Sequence, residues 1–149
     1  MGSALVRLLE AAGVPAYAPR RNEFDLSDET NIAGFFRQTA WRAVINCAAY
    51  TAVDRAEDEP AIAALINARV PGILAAEAAR QAIPIIHVST DYVFDGAKAD
   101  PYVETDRTNP LGTYGRTKLD GEHAVRAANP CHAIVRTAWV LSPNGANFL

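Results

Sequence analysis

Cysteine is scarce in this 149-residue chain: only Cys47 and Cys131 are present, too few for a disulfide framework. Both fall inside apolar runs that read as strands, so each is expected as a small buried thiol. The three histidines, His87, His123 and His132, have no mutual ligand spacing, and no metal site is expected. Basic residues are in no excess either, with 14 Lys and Arg against 17 Asp and Glu for a formal net charge of -3. That balance gives no cationic field to hold nucleic acid or an anionic membrane. Charge or proline interrupts the apolar stretches before the about 18 residues of a membrane span, and the N-terminus shows no basic region followed by an apolar core. The expectation is a soluble, cytoplasmic protein.

What the chain does have is apolar material, 50% of its residues, enough for one compact domain over residues 1–149. Leu5, Leu8 and Leu9 repeat at helical spacing, and Gly13 followed by Pro15 supplies a left-handed stop. Residues 14–18 form a short apolar run, read as a strand. Ser27 then precedes Asp28 and Glu29 as an N-cap for a helix through Ile32, Phe35 and Phe36. Another strand is expected over 43–49 (AVINCAA), followed by an alanine-rich helix over about 60–81. Residues 83–89 (IPIIHVS) read as a strand, 114–128 as a helix and 132–140 (HAIVRTAWV) as a strand. Strands without polar alternation, separated by helices, imply an α/β fold: a doubly wound, Rossmann-like parallel sheet covered on both faces. Ligands in such sheets bind beyond the carboxyl ends of the strands. The segments to inspect are therefore 20–26, 48–54, 90–96 and the tail after Trp139, together with the long loop 95–112.

Tyr114 and Lys118 stand four apart in YGRTK at the start of a helix, which places phenol and ammonium on one face. A free phenol titrates near about 10, and a neighbouring cation favours its phenolate, which is how a tyrosine becomes a general acid at neutral pH. An isolated tyrosine and lysine at this spacing is equally an exposed helix pair. The context favours chemistry, because Ser89, Thr90 and Asp91 close an apolar strand one helical connection upstream and offer hydroxyls where a carbonyl could be polarised.

Four segments, NCAAYTAVDRAE at 46–57, HVSTDYVFDG at 87–96, YGRTKLDGE at 114–122 and RTAWV at 136–140, resemble in order and spacing those of the dTDP-4-dehydrorhamnose reductases, which are extended short-chain dehydrogenases. The resemblance implies NADPH- or NADH-dependent reduction of the 4-keto group of a dTDP-linked 6-deoxysugar. It makes Tyr114 the proton donor, Lys118 the residue that holds the nicotinamide ribose and lowers the tyrosine pKa, and Thr90 the partner of the sugar carbonyl. Asp91 and Trp139 match substrate-contacting positions. Asp25 and Leu26 match an adenine-contacting pair, Ala48, Ala49, Tyr50 and Thr51 match the loop beside the dinucleotide, and Ser89 is assigned to the cofactor as well. Arg20 and Arg21 follow the second strand of the family pattern, where guanidinium groups favour a ribose 2′-phosphate, so NADPH is expected over NADH.

A dinucleotide site ordinarily opens with a buried strand and a glycine-rich turn. Here only Gly2, directly before the first helix, matches that motif, as its last glycine. The chain is accordingly read as a partial NAD(P)-binding domain without the first strand and without the C-terminal substrate domain, and the isolated chain is expected to turn over poorly. For the intact enzyme, a homodimer is admitted. Two other readings remain open at this point. One is a non-catalytic subunit resembling the regulatory subunit of methionine adenosyltransferase, and the other is a different extended short-chain dehydrogenase acting on a nucleotide sugar.

Overall fold

The computed structural model describes residues 1–140. Three parallel strands form its sheet in the order β1 (Val44–Asn46), β2 (Ile85–Thr90), β3 (His132–Thr137). Val44 pairs with Ile85, and Ile85 in turn with His132; at the far end Thr90 lies opposite Thr137. Helices α1 (Gly2–Ala11) and α2 (Glu29–Phe36) precede β1. Between β1 and β2 run α3 (Arg55–Asp58), α4 (Pro60–Ala64), a π-helical turn Leu65–Arg69 and α5 (Val70–Arg80). A 3-10 turn, Asp91–Val93, follows β2, and α6 (Thr113–Ala128) joins it to β3.

The core lies where α2, α5 and α6 meet the sheet: Ile32, Phe36, Val70, Leu74, Ile85 and Val125 are buried there together. Alternation along β2 explains the layering, since Ile85, His87 and Ser89 point to that covered face and are buried. On the opposite face, Ile45 and Val135 are exposed, so among the described residues the expected double cover is formed on one side. Helix α6 packs closely on the π turn and α5 because small residues face each other. A Cβ on Gly121 would collide with the Asn67 carbonyl oxygen, and one on Gly72 would stand 3.0 Å from the Ala124 methyl.

Several expectations are corrected. Residues 14–18 form no strand: a strand exists only through a ladder partner, and none of the described strands pairs with this run. Gly13 does stop α1, at φ +68°. The cap of α2 is Asp28, not Ser27: the Asp28 carboxylate accepts from the Thr30 N–H, while Ser27 donates its N–H and hydroxyl to Asp25. Cys131 is exposed and Cys47 half-buried, because the strands end short of both residues. The stretch Pro60–Arg80 is long and apolar enough, by length and composition, to cross a membrane, where the sequence reading saw none. Val70, Leu74, Ala75 and Ala78 bury its inner face in the core, as in a core helix. The strand expected to 140 ends at Thr137, and the tail expected to line the site lies, beyond Val140, outside the described residues.

Candidate active site

Thr90 ends β2, and its hydroxyl accepts from the Tyr92 N–H at 3.2 Å, so the strand terminus is also the cap of the following turn. Its side chain faces the Tyr114 hydroxyl closely enough to draw the phenol's pKa down. Tyr114 lies in the first turn of α6, with its ring edge-on to Tyr92 at 5.6 Å between centroids. Gly115 lets the helix approach this closely, since a Cβ there would collide with the Tyr92 carbonyl oxygen. One turn further along α6, Lys118 is 2% exposed and donates from Nζ to the Val88 carbonyl at 2.7 Å. Thr90, Tyr114 and Lys118 therefore converge on the C-terminal end of β2.

The electrostatics differ from the expectation in one respect. Burial pushes the Tyr114 phenol above its ordinary value, the Thr90 side chain draws it down, and Asp91 and Tyr92 raise it again. Lys118 is not what sets the phenol here, because its ammonium is turned to the Val88 carbonyl. Its own pKa is lowered to about 8, chiefly by burial, with Glu122 opposing. His87, fully buried beside it, is pushed down to about 4 by burial first and by the Lys118 charge second. It is therefore neutral, and its Nδ1 accepts from the Asn46 amide at 3.1 Å.

The loop 48–51 is pinned from two sides. The Ala48 N–H donates to Asn46 Oδ1 at 3.0 Å, and the Tyr50 N–H donates to Asn67 Oδ1 at 2.8 Å. Asn67 also donates to the Tyr50 carbonyl and to Thr117 Oγ1, tying this loop to α6. The π turn carries that asparagine inward, a distortion of the kind that recurs at functional sites. Tyr50 Oη donates to Glu59, and Thr51 is exposed.

Other expected positions fare differently. The Ser89 hydroxyl is turned into the core, donating to Glu122 Oε1 at 2.6 Å, which leaves it no free proton for a cofactor. Leu26 is half-buried, with one side packed against the core cluster. Asp25 accepts from Ser27, whose backbone N–H and hydroxyl hold the carboxylate below its usual range. Arg20 and Arg21 are exposed on a turn, where the Arg20 N–H donates to Glu23. Asp91 is exposed next to Thr90 and accepts its hydroxyl at 3.1 Å. Trp139 stands just past β3, 77% exposed, at φ +47°. Gly2 opens α1 beside Cys47, so the first helix does begin near the C-terminal end of β1.

Sequence reasoning missed Asn67, Glu57 and Glu122. Each carried a faint signal: a polar residue within an apolar helix, a carboxylate closing the 46–57 segment, and a carboxylate one turn after Lys118.

A parallel sheet with a buried lysine, a tyrosine and a threonine gathered at one strand end defines a Rossmann-type domain of the extended short-chain dehydrogenase class. Residues 1–149 match the family described as RmlD substrate binding domain, and the chain belongs to that family. It is 51% identical over 129 residues to a dTDP-4-dehydrorhamnose reductase of Sinorhizobium fredii, covering 87% of this chain and 44% of that protein. The corresponding reductase of Mycolicibacterium smegmatis is 44% identical over 151 residues, covering 100% of this chain and 46% of the relative. The crystal structure of a Clostridium acetobutylicum dTDP-4-dehydrorhamnose reductase superposes with a TM-score of 0.94 at 41% identity, over 99% of this chain and 52% of that one. A Bacillus anthracis dTDP-4-dehydrorhamnose reductase solved in complex with NADP gives the same TM-score, 0.94, at 31% identity over 99% and 52% of the two chains. The chain thus spans about half the length of the curated relatives it matches.

Proposed function

We propose that this chain contributes the cofactor-binding and proton-donating half of an NADPH-dependent reductase acting on the 4-keto group of dTDP-4-dehydro-6-deoxy-L-mannose, yielding dTDP-L-rhamnose. The observation that carries the reading is the convergence of Thr90, Tyr114 and Lys118 on one strand end. The retention of all three favours chemistry over the non-catalytic subunit. A cytoplasmic setting belongs to the same reading, because substrate and cofactor are both charged nucleotides.

The donor set suits a dinucleotide. The loop 48–51 is held still by Asn46 and Asn67, and the ammonium of Lys118 keeps two protons beyond the one given to Val88. Gly2, Ala48, Ala49, Tyr50 and Thr51 would line its path, and Lys118 would hold the nicotinamide ribose. When bound, the nicotinamide supplies hydride. Tyr114, protonated at neutral pH with its pKa raised further by burial, gives its proton to the ketone oxygen, while Thr90, turning its hydroxyl proton from exposed Asp91 to that oxygen, orients it by hydrogen bond. Lys118, as a cation, offsets the phenolate that remains. Asp91 and Trp139 would flank the sugar; a bulky residue in the left-handed region is the kind of strained position that gathers at binding sites.

The test is to supply the full-length protein with the dTDP-linked ketosugar and NADPH and follow nucleotide oxidation at 340 nm together with product formation. No product would refute the reading. The reduction rate is expected to fall as pH rises through about 8, where Lys118 loses its proton, and to hold steady below it. Replacing Arg20 and Arg21 by Ala should raise KM for NADPH about tenfold or more and leave KM for NADH within about twofold, since only a 2′-phosphate meets the guanidinium groups. Equal changes for both cofactors would remove these arginines from the site.

A further inference from the structure

The structure assigns Glu57 as a positioning residue that sets the first turn of α6, and with it the Tyr114 hydroxyl, from the end of the cofactor loop. The inference rests on the proposed reductase reading. Helix α6 begins at Thr113 with Gly112 as its N-cap, and no side chain of its own caps it. Four N–H groups at such an end lack helical partners. Glu57, on α3 and 56 residues earlier, fills that role: Oε1 accepts the Thr113 N–H at 2.6 Å and Oε2 accepts the Thr113 hydroxyl at 2.7 Å. The Arg116 guanidinium stands 3.8 Å from Oε2, completing a two-point grip closed by a cation. A carboxylate at a helix N-terminus is favoured by the helix dipole as well.

Two features make this grip more than a surface pair. A Cβ on Gly112 would lie 3.0 Å from Glu57 Oε1, so the bare glycine cap leaves the carboxylate room to close on the backbone. Tyr114 is the residue immediately after Thr113, and α3 follows directly on 48–54. A shift of the loop is therefore transmitted through Glu57 to the phenol, over a contact that spans the site from the cofactor side to the acid. Asn67 ties the same loop to Thr117, so the start of α6 is held at two successive turns.

In the full-length enzyme, Glu57→Ala should lower kcat about tenfold to a hundredfold, since displacements near 1 Å at a reacting group cost that much. NADPH binding, followed by quenching of intrinsic fluorescence, should stay within about twofold. The solvent deuterium isotope effect on kcat should rise, because a misplaced acid makes proton transfer more rate-limiting. Glu57→Gln keeps an oxygen for the Thr113 N–H and an amide that can donate to Thr113 Oγ1, and should recover most of the rate. Gly112→Ala, which crowds the carboxylate, should slow the parent enzyme and add nothing in the Glu57→Ala background. Independently of turnover, amide hydrogen exchange at residues 113–116 should quicken in Glu57→Ala. A kcat within twofold of the parent, or an unchanged isotope effect, overturns the assignment even if exchange quickens, and unchanged exchange overturns it outright. Failure of the parent enzyme to reduce the ketone would instead refute the proposed function, with faster exchange in Glu57→Ala still supporting the clamp.

Discussion

Tyr114→Phe is expected to lower kcat for ketone reduction by about a hundredfold to ten-thousandfold, which is the range a positioned general acid supplies. At about 1.4 kcal/mol per factor of ten, the loss corresponds to roughly 3–6 kcal/mol of barrier. The substitution removes one oxygen and little else. The phenyl ring keeps its edge-on contact with Tyr92, and Thr90 retains its bonds to Tyr92 and Asp91, so neither the turn after β2 nor the start of α6 should move. NADPH affinity and thermal stability should accordingly match the parent. Lys118→Met makes the useful contrast, because it removes both the cation beside the phenol and the group proposed to hold the ribose. It should raise KM for NADPH and lower kcat together. If Tyr114→Phe kept more than about a tenth of the parent kcat, the proton would have to come from elsewhere, and the reading of this strand end as an acid site would fail.

The parts of the site that could be read directly are those whose residues are close in sequence. Tyr114 and Lys118 are one helical turn apart, and Thr90 closes an apolar run, so periodicity alone brings them near the ends of their elements. The connections that hold them are long-range. Glu57 reaches Thr113 across 56 residues, Asn67 reaches Thr117 across 50, and Arg136 reaches Glu122 across 14. No local period reports such pairs. Where a side chain turns at a strand end was equally hidden. Ser89 and Thr90 are adjacent hydroxyls in the sequence, yet the strand's alternation sends Ser89 to Glu122 in the core and leaves Thr90 at the site. Core strands were legible as apolar runs, with ends displaced by up to three residues. Residues 14–18 show the limit of that signal, since an apolar run becomes a strand only when a neighbour offers a ladder.

Glu122 should prove the most sensitive position for stability. Its side chain is fully buried and accepts four hydrogen bonds: from Ser89 Oγ at 2.6 Å, from Arg136 Nε at 2.9 Å and Nη2 at 2.7 Å, and from Arg126 Nη2 at 3.0 Å. Burial, the largest single influence, would raise its pKa, but these donors together hold it below the ordinary carboxylate value. Arg136, itself largely buried, continues outward to lie over the Phe94 ring at 5.0 Å, so one carboxylate joins β2, β3, α6 and the loop after β2. Glu122→Ala strands the largely buried guanidinium and the buried serine hydroxyl without their partner, a loss of about 3–5 kcal/mol for a broken buried pair. At roughly 2–4 °C per kcal/mol for domains of this size, Tm should drop by about 6 °C or more. Adding Arg136→Met to Glu122→Ala should restore part of the loss, because the orphaned charge is then gone. Acid should mimic the single variant: with its folded value depressed, the carboxylate stabilises the fold above the unfolded value of 4.5 and ceases to do so as pH falls through the folded one. Thermal melts of the full-length protein and the three variants, at neutral pH and in a series descending below pH 4.5, read all of this. Single-variant losses that simply add in the double variant would mean that Glu122 and Arg136 are not coupled, and that β2, β3, α6 and the loop after β2 are joined by something else.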